Sequence, residues 1–224
     1  MNSPIAAYDL GRIPYRDALD LQRRAVSGRA TGEAGDVIYF CEHEPVLTLG
    51  RASRSESLRA SAELLRARGV EVIPVERGGD VTYHGPGQIV VYPILALSDL
   101  PYGRDLHRYL RDLEEVLIQT LGGYGIRAVR RPPYTGVWVG DRKVAAIGVA
   151  VRRWVTFHGF ALNVDPDLTH FDWIHPCGIR ELGVTSLRAL LGAAPPREEI
   201  LTRLRASFAR TWDRPVVEET PVHA

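Results

Sequence analysis

Three consecutive strand-like runs constrain the fold of this chain more than any other feature. They read TGVWVG, KVAAIGVAV and WVTFHGFALNV, and only the dipeptides DR and RR separate them. Parallel neighbours would need crossovers of a dozen or more residues, so such short connections favour antiparallel pairing. The sequence therefore predicts an antiparallel meander with turns at DR and RR.

Helical patterns are grouped before and after the meander and do not alternate with its strands. The clearest has apolar side chains at three- and four-residue steps and predicts one buried stripe on a helix from about Arg104 to Leu121. Other helices are expected over Tyr15 to Val26 and Ser55 to Arg68, and from about Ser186 and Pro196, with strands at 36–40, 46–49, VEVIPVE and IVVYPI. This segregation predicts an α+β fold with a mixed, mostly antiparallel sheet, and argues against a doubly wound nucleotide fold.

Composition limits the class of protein. A chain of 224 residues that is 45% hydrophobic and 25% charged is expected to form one globular domain over 1–224. A formal net charge of +1 argues against broad nucleic-acid binding. The longest apolar run, Ile89 to Leu97, is far shorter than the ~20 residues of a membrane span. With two cysteines and no signal-peptide pattern, we expect a cytoplasmic protein.

One lysine stands alone among 28 basic residues. Lys143, in GDRKVAAIG, is the only lysine, and every other Lys or Arg position is arginine. Arginine stays protonated under ordinary conditions, whereas a desolvated lysine can lose its proton, so only lysine can handle protons. Lys143 is therefore a candidate catalytic residue. The alternative is that an arginine-biased composition left one lysine in a turn by chance.

The segment ERGGDVTYHGPGQ, from Glu76 to Gln88, contains four glycines between two strand-like runs. Glycines let a backbone approach a ligand closely and expose its N–H groups. Neither common phosphate-binding signature is present. A structural turn would explain GPG but not the accompanying Arg77, Tyr83 and His84, so the segment predicts a ligand-binding loop.

The two cysteines lie in different settings. Cys41, within VIYFCEH, fits a buried small hydrophobe. Cys177 lies between proline and glycine in WIHPCGI, a loop that could expose its sulfur and offer N–H groups to an oxyanion, as acyl transfer requires. A zinc site is disfavoured, because neither Cys-Glu-His nor His-Pro-Cys has the usual ligand spacing. His158 could be a core residue or line a pocket, and His107 and His223 are expected to be solvated.

Three motifs in order, RGGDVTYHGPGQ, RKVAAIGVAVRRWVTFHGFALNV and HPCGIRELGVTSL, resemble the lipoyl(octanoyl) transferase family. They cover about half the chain between Arg77 and Leu187. The resemblance implies kinship with the catalytic domains of biotin and lipoate ligases. It also implies a large mixed sheet beside a smaller one, flanked by helices. No cofactor and no metal are implied.

The resemblance also implies roles for individual residues. Cys177 would form an acyl-thioester intermediate, and Lys143 would lower the pKa of Cys177 and exchange its proton. The acyl chain would be contacted by Arg77, Gly78, Gly79, Asp80, Val81, Thr82, Tyr83, His84, Ala146, Ile147, Gly148, Gly159, Phe160 and Ala161. Asp80 departs from the glutamine or lysine associated with its position, so only side-chain contacts there are in question.

A lysine that only promoted ionisation of the Cys177 thiol would increase the reaction rate very little. Lowering a cysteine pKa from about 8.5 to about 7 raises the thiolate fraction at pH 7 roughly fifteenfold. A Brønsted slope near 0.45 makes that thiolate about fivefold less nucleophilic, so the net gain is only about threefold. General acid-base catalysis contributes about 10²–10⁴-fold, so proton relay is the larger role expected of Lys143.

The implied partners are octanoyl-acyl carrier protein as donor, and lipoyl domains of 2-oxoacid dehydrogenase complexes and the glycine cleavage H protein as acceptors. Because carrier proteins are acidic, docking is expected near arginines at 130, 131, 142, 152 or 153. Two alternatives remain open: an ATP-dependent lipoate or biotin ligase, which needs no cysteine nucleophile, and a non-catalytic acyl-binding module, which forms no covalent adduct.

Overall fold

A computed structural model describes residues 3–174 and 183–220 of the chain. Cys177 and His223 lie outside these residues. The described strands are β1 (Ile5–Arg12), β2 (Val37–Glu42), β3 (Val46–Leu49), β4 (Glu71–Pro74), β5 (Val81–His84), β6 (Gln88–Ile94), β7 (Val129–Arg131), β8 (Tyr134–Val139), β9 (Arg142–Arg152), β10 (Val155–Asn163), β11 (Gly183–Val184) and β12 (Val216–Glu218). The helices are α1 (Tyr15–Thr31), α2 (Ala62–Ala67), α3 (Leu106–Gly122), α4 (Leu187–Leu191) and α5 (Arg197–Trp212).

Two sheets organise the described residues. The large one runs β12-β1-β2-β6-β10-β9-β8-β7, with β11 added beside β9, and the small one runs β4-β3-β5. The large sheet is antiparallel from β2 to β7, whereas β1 pairs in parallel with both β2 and β12. The α+β class and the mixed, mostly antiparallel sheet are thus confirmed.

The predicted meander is the centre of the large sheet, formed by β8, β9 and β10. Its second turn lies one residue later than the RR dipeptide, because Arg152 pairs with Val155 and leaves Arg153 and Trp154 as the turn. Both turn residues have positive φ, at 50° and 63°, as a type I′ hairpin requires. The first turn is Gly140 and Asp141, one residue earlier than the DR dipeptide, because Val139 pairs with Arg142.

Helices pack on both faces of the sheet. The stripe of α3 and the inner face of α5 cover one face, where Val91 and Phe160 lie, while α1 covers the other face, where Val90 and Tyr92 lie. Successive residues of β6 thus enter different cores, as the two-residue period of a strand requires. Within the described ranges, no helix is long and apolar enough to cross a membrane.

The helix predicted over 55–68 is wrong over its first half. A short 3-10 turn spans Ser55–Ser57, and α2 begins only after Ser61, whose side chain accepts the Leu64 N–H. Between them, the N–H groups of Arg59 and Ala60 donate to the Trp173 carbonyl. These long-range hydrogen bonds compete successfully with the local helical ones.

Candidate active site

A cavity of about 390 Å³ opens between the glycine-rich segment and the strands of the meander. Its wall includes most residues singled out in the sequence. These are Arg77, Gly78, Gly79, Asp80, Val81, Thr82, His84, Lys143, Ala146, Ile147, Gly148, Gly159, Phe160 and Ala161. His158, for which a core position and a pocket position were both open, lines it as well. Residues that the sequence reasoning missed also line it: Tyr15, Val90, Tyr92, Leu106, Leu110, Pro133, Tyr134, Thr135, Trp138, Val149, Phe171, Gly183 and Val184.

Arg77 braces the wall of the cavity. Its side chain is buried, and the guanidinium donates to the Thr48 carbonyl at 2.7 Å and the Thr48 hydroxyl at 2.8 Å. It also donates to the carbonyls of Gly78 and Asp80, at 3.0 and 2.7 Å. The glycine-rich backbone is therefore wrapped around one cation, which fixes the shape of the loop.

Close backbone contacts explain two glycines beside this loop. The Gly78 N–H donates to the Val149 carbonyl at 2.9 Å, which holds the loop against β9. A Cβ on Gly148 would lie 3.0 Å from the Arg77 Cδ and 3.1 Å from the Gly78 oxygen, and one on Gly50 would lie 2.3 Å from the Gly79 oxygen. Side chains at these positions would separate the loop from the sheet.

Tyr83 does not line the cavity, unlike its neighbours in β5. Thr82 and His84 lie on the face of β5 opposite Tyr83 and line the cavity, whereas the Tyr83 side chain is packed in the core of the small sheet. The Tyr83 hydroxyl lies 2.8 Å from His170 Nδ1, and its ring contacts Phe171. Its place in the family motif therefore reflects packing of the small sheet in this chain.

Asp80, the position that departs from the family pattern, has its carboxylate engaged within the loop. Its Oδ1 accepts the Ser57 hydroxyl at 2.6 Å and the Val81 N–H at 2.7 Å. These bonds tie the loop to the turn at 55–57. Asp80 thus acts on the loop conformation through its own side chain.

A β-bulge positions Lys143 at one end of the cavity. Val137 of β8 pairs with Ala145, but the next residue, Trp138, pairs with Lys143, so Val144 is an extra residue on β9. Such bulges redirect side chains and are common beside active sites. The Lys143 ammonium lies 4.9 Å from the centroid of the Trp138 ring, a cation–π contact.

The backbone of Lys143 is held from both sides. β8 pairs with it along one edge, and on the other edge β11 pairs in parallel, with Val184 opposite Lys143. The Thr185 N–H donates to the Lys143 carbonyl at 3.0 Å. The end of the HPCGIRELGVTSL motif is therefore joined to the strand that carries the lone lysine.

The opposite end of the cavity contains buried aromatic and imidazole side chains. Tyr15 stacks on His84 at 5.9 Å and meets His43 edge-on at 5.2 Å. His43 Nδ1 donates to the Ile13 carbonyl, so its Nε2 accepts the Tyr92 hydroxyl at 2.7 Å. The ends of the cavity therefore differ in chemistry, with an ammonium at one and neutral polar groups at the other.

Burial sets the charge state of this second end. Desolvation lowers the pKa of His43 to about 4 and that of His158 to about 3, and it lowers the pKa of His84 well below its ordinary value. The Arg77 guanidinium adds to the shift at His84 and His158 by repelling a second positive charge. All three imidazoles are therefore neutral at neutral pH.

Cys41 is a core residue, as the sequence indicates. Its thiol is fully buried, and this burial raises its pKa, with Sγ 3.5 Å from His43 Nε2. Among residues 3–174 and 183–220, no three His, Cys, Asp or Glu side chains are grouped as a metal site. Cys41 is therefore a poor nucleophile.

Comparison with known proteins identifies the family. Residues 14–209 match the family model for the lipoyl protein ligase A/B catalytic domain. An octanoyltransferase of Solibacter usitatus (strain Ellin6076) is 50% identical over 204 residues, which cover 91% of each chain. One from Chloroflexus aggregans (strain MD-66 / DSM 9485) is 50% identical over 216 residues, 95% of this chain and 97% of that one. The chain belongs to the octanoyltransferase family.

The family assignment confirms the resemblance seen in the motifs and the prediction that this chain is an acyltransferase. An octanoyltransferase of Myxococcus xanthus is 47% identical to this chain over an alignment that covers 97% of it. The chain spans 62% of that longer relative.

Solved structures extend the likeness to ligases. A lipoate-protein ligase A bound with ATP superposes with a TM-score of 0.74, covering 99% of this chain and 90% of the other at 16% identity. A biotin protein ligase from Aquifex aeolicus gives 0.56 over 93% of this chain and 70% of the other at 12% identity. The TM-scores establish a shared fold, which confirms the predicted similarity of architecture to these ligases.

The arginines suggested for carrier docking fall into separate groups. Arg130 pairs with Glu114 and Glu115, and Arg131 pairs with Asp141. Arg142 and Arg152 are exposed at opposite ends of β9, about 30 Å apart at ~3.3 Å per residue. A carrier that delivers its acyl group beside Lys143 would therefore meet Arg142, not Arg152.

Gly136 leaves room for the stem of Lys143, and we expect Gly136→Ala to reduce activity more than tenfold. Its φ is +128°, and an added Cβ would lie 2.8 Å from the Ala145 oxygen and 3.4 Å from the Lys143 Cε. The strain should cost about 1–3 kcal/mol of unfolding free energy, measurable by urea denaturation. Gly140→Ala is the control, because Gly140 also has positive φ but open space around it. Equal losses of activity in the two variants would refute this role.

Proposed function

We propose that this chain transfers an octanoyl group from octanoyl-acyl carrier protein to a lysine of a lipoyl domain. The acyl group passes through a thioester on Cys177, and Lys143 relays the protons. One observation carries the proposal: the lone lysine stands at one end of a mostly apolar cavity in a chain about 50% identical to octanoyltransferases. The acceptors are the lipoyl domains of 2-oxoacid dehydrogenase complexes and the glycine cleavage H protein.

The proposed reaction needs no ATP or other energy source. In the first step the Cys177 thiol passes its proton to Lys143 and its sulfur attacks the donor carbonyl. The new C–S bond replaces the bond to the carrier sulfur, and the Lys143 ammonium returns that proton to the departing carrier thiolate. In the second step the acceptor amine attacks the Cys177 thioester, loses a proton, and releases the Cys177 sulfur as thiol. Exchange of one thioester for another is nearly neutral, and formation of the amide is downhill.

The surroundings of Lys143 suit a proton relay. Contact with the Trp138 ring favours the ammonium, which is the form that returns a proton to the carrier thiolate. Once it has given up that proton, the neutral amine can accept one from the acceptor lysine. The bulge at Val144 and the pairing with β11 fix the backbone of Lys143, so the relay side chain projects from a firmly held strand.

The cavity wall suits an acyl chain. Its floor includes small side chains in register across two strands, Ala146 opposite Ala161 and Gly148 opposite Gly159, with Val90 beside Ala161 on β6. An eight-carbon chain with C–C bonds of about 1.5 Å is about 9 Å long when extended. A floor two to three strands wide, at ~4.8 Å per strand, accommodates that length.

The two competing functions make different covalent predictions. A ligase with this fold would activate its substrate with ATP, and a binding module would form no bond at all. The likeness to ATP-dependent ligases rests on fold, so it does not favour ATP chemistry here. Cys177 is the feature that favours the transferase over both.

The deciding experiment is intact-mass analysis after incubation with octanoyl-acyl carrier protein in the absence of ATP. We expect one octanoyl adduct on the wild-type chain and on Cys41→Ser, and none on Cys177→Ser. Cys41 is the matched control because it is the other cysteine and is fully buried. Absence of an adduct on wild type, with labelling that requires ATP, would favour a ligase. No labelling under either condition would favour a binding module.

A further inference from the structure

The end of the cavity remote from Lys143 is polar, although the methyl end of an octanoyl chain needs no polar partner. From the strand registers, Lys143 and Tyr92 are about five residues apart along the sheet and two strands apart across it. With ~3.3 Å per residue and ~4.8 Å between strands, their Cα atoms are roughly 20 Å apart. Both side chains line the cavity and each is about 6 Å long, so the space left between them is roughly 8 Å, close to the length of an extended eight-carbon chain. The second end is also the more buried, because Tyr15, His84 and His158 are each less than 10% exposed.

Polar atoms at this buried end lack partners within the described residues. His158 Nε2 is buried without a hydrogen bond, and His84 Nδ1 has no partner within hydrogen-bond distance, although the Gln88 side chain lies close enough to His84 to raise its pKa slightly against the effect of burial. The Tyr15 side chain also lines the cavity. Leaving buried polar atoms such as the two imidazole nitrogens unsatisfied costs roughly 1–3 kcal/mol each, so a pair of them beside one cavity is unusual unless a ligand completes it.

The backbone holds this cluster in place at some cost. His158 has a φ of +55°, in a backbone region that residues other than glycine seldom adopt. Its N–H donates to the buried Gln22 Oε1 of α1 at 2.8 Å, which fixes the strained residue against the helix. Strain of this kind is found at functional sites, where the fold maintains a particular side-chain position.

The cluster offers neutral hydrogen-bonding groups and no charge. The two imidazoles are neutral, as shown above, and burial raises the pKa of the Tyr15 phenol, so that it keeps its proton. Two cations lie near this cluster, and both are already engaged: the Arg77 guanidinium is bonded to Thr48 and the loop carbonyls, and Arg23 is paired with Glu76. A hydroxyl group, which can both donate and accept, matches a phenol and neutral imidazoles.

We propose that Tyr15, His84 and His158 form a polar subsite that binds a hydroxyl group on the last carbon of an acyl chain. This inference rests on the proposed octanoyl transfer and adds a substrate class to it, the acyl groups with a hydroxyl at the far end. The subsite also limits chain length, since a longer saturated chain must place a methyl group against unpaired polar atoms.

The test compares two donors of equal size, the nonanoyl and 8-hydroxyoctanoyl thioesters of acyl carrier protein. The measured quantity is the ratio of kcat/KM for the hydroxylated donor to that for nonanoyl. We expect Tyr15→Phe, which removes one hydroxyl group, to lower this ratio about fivefold, and His84→Leu to lower it about tenfold. A ratio within one variant is insensitive to partial loss of folded protein, because both donors meet the same enzyme.

Tyr109→Phe is the matched control. Tyr109 is buried and its hydroxyl also lacks a partner, but it belongs to the core under α3 and does not line the cavity. Its ratio should equal that of wild type. Ratios within twofold of wild type in both Tyr15→Phe and His84→Leu would overturn the subsite. Loss of transfer with octanoyl and both test donors in wild type would instead contradict the proposed function, so the two failures are distinguishable.

Discussion

Lys143→Arg is expected to lower the rate of octanoyl transfer by about 10²–10⁴-fold, the usual contribution of general acid-base catalysis. Arginine preserves the positive charge, and its planar guanidinium can still stack on the Trp138 ring that Lys143 contacts. It cannot release its proton under ordinary conditions, so it cannot accept one from the acceptor amine. The variant therefore separates the charge of this residue from its role as a proton relay.

Two measurements check this expectation. Single-turnover transfer to a lipoyl domain should fall, while alkylation of Cys177 by iodoacetamide should proceed within about threefold of the wild-type rate. Alkylation of the folded chain reports Cys177, because Cys41 is fully buried and burial raises the pKa of its thiol. Arg152→Lys, exposed at the other end of β9, is the control for exchanging the two basic side chains and should keep its activity. Near-normal transfer in Lys143→Arg would refute the relay.

Local sequence signals predicted the elements whose hydrogen bonds are local. The meander β8–β10 is joined by two-residue turns, and α3 has an uninterrupted stripe, so both follow from period and turn chemistry. β1 and β12 were missed because each depends on a parallel partner distant in sequence, Ile5 beside Val216 and Ala6 beside Val37. A short strand stabilised by distant pairing has no local signature.

The residues of the candidate site that could be predicted are likewise those with a local sequence signal. Its glycine-rich loop and the lone lysine were visible because they are unusual over a few consecutive residues. At the polar end, His84 and His158 were singled out, but Tyr15, Tyr92 and His43 were not. These three come from separate segments, and each fits an ordinary amphipathic helix, strand or turn. The one available signal was that Tyr15 directly follows Pro14 at the start of α1, which predicts a helix but not a cavity.

The neutral imidazoles at that end make folding stability depend on pH. The folded-state pKa of His43 is about 4 and that of His158 about 3, against about 6.5 in the unfolded chain. Below pH 6.5 the unfolded state binds more protons than the folded state, so stability falls as the pH falls toward these folded values. At pH 5, His43 and His158 should each contribute about 2 kcal/mol less to the free energy of unfolding than they do at pH 7.5.

Urea unfolding at pH 7.5 and at pH 5 measures this difference. The carboxyl groups contribute little over this range, since their ordinary pKa values are about 4, and the histidines therefore dominate it. His43→Gln should reduce the difference by about 2 kcal/mol, because the histidine that must stay neutral is gone. His107→Gln, on the exposed side of α3, should leave the difference unchanged. If the wild-type chain is equally stable at the two pH values, these imidazoles become protonated in the folded state. That result would also contradict the polar subsite, which depends on neutral hydrogen-bonding groups.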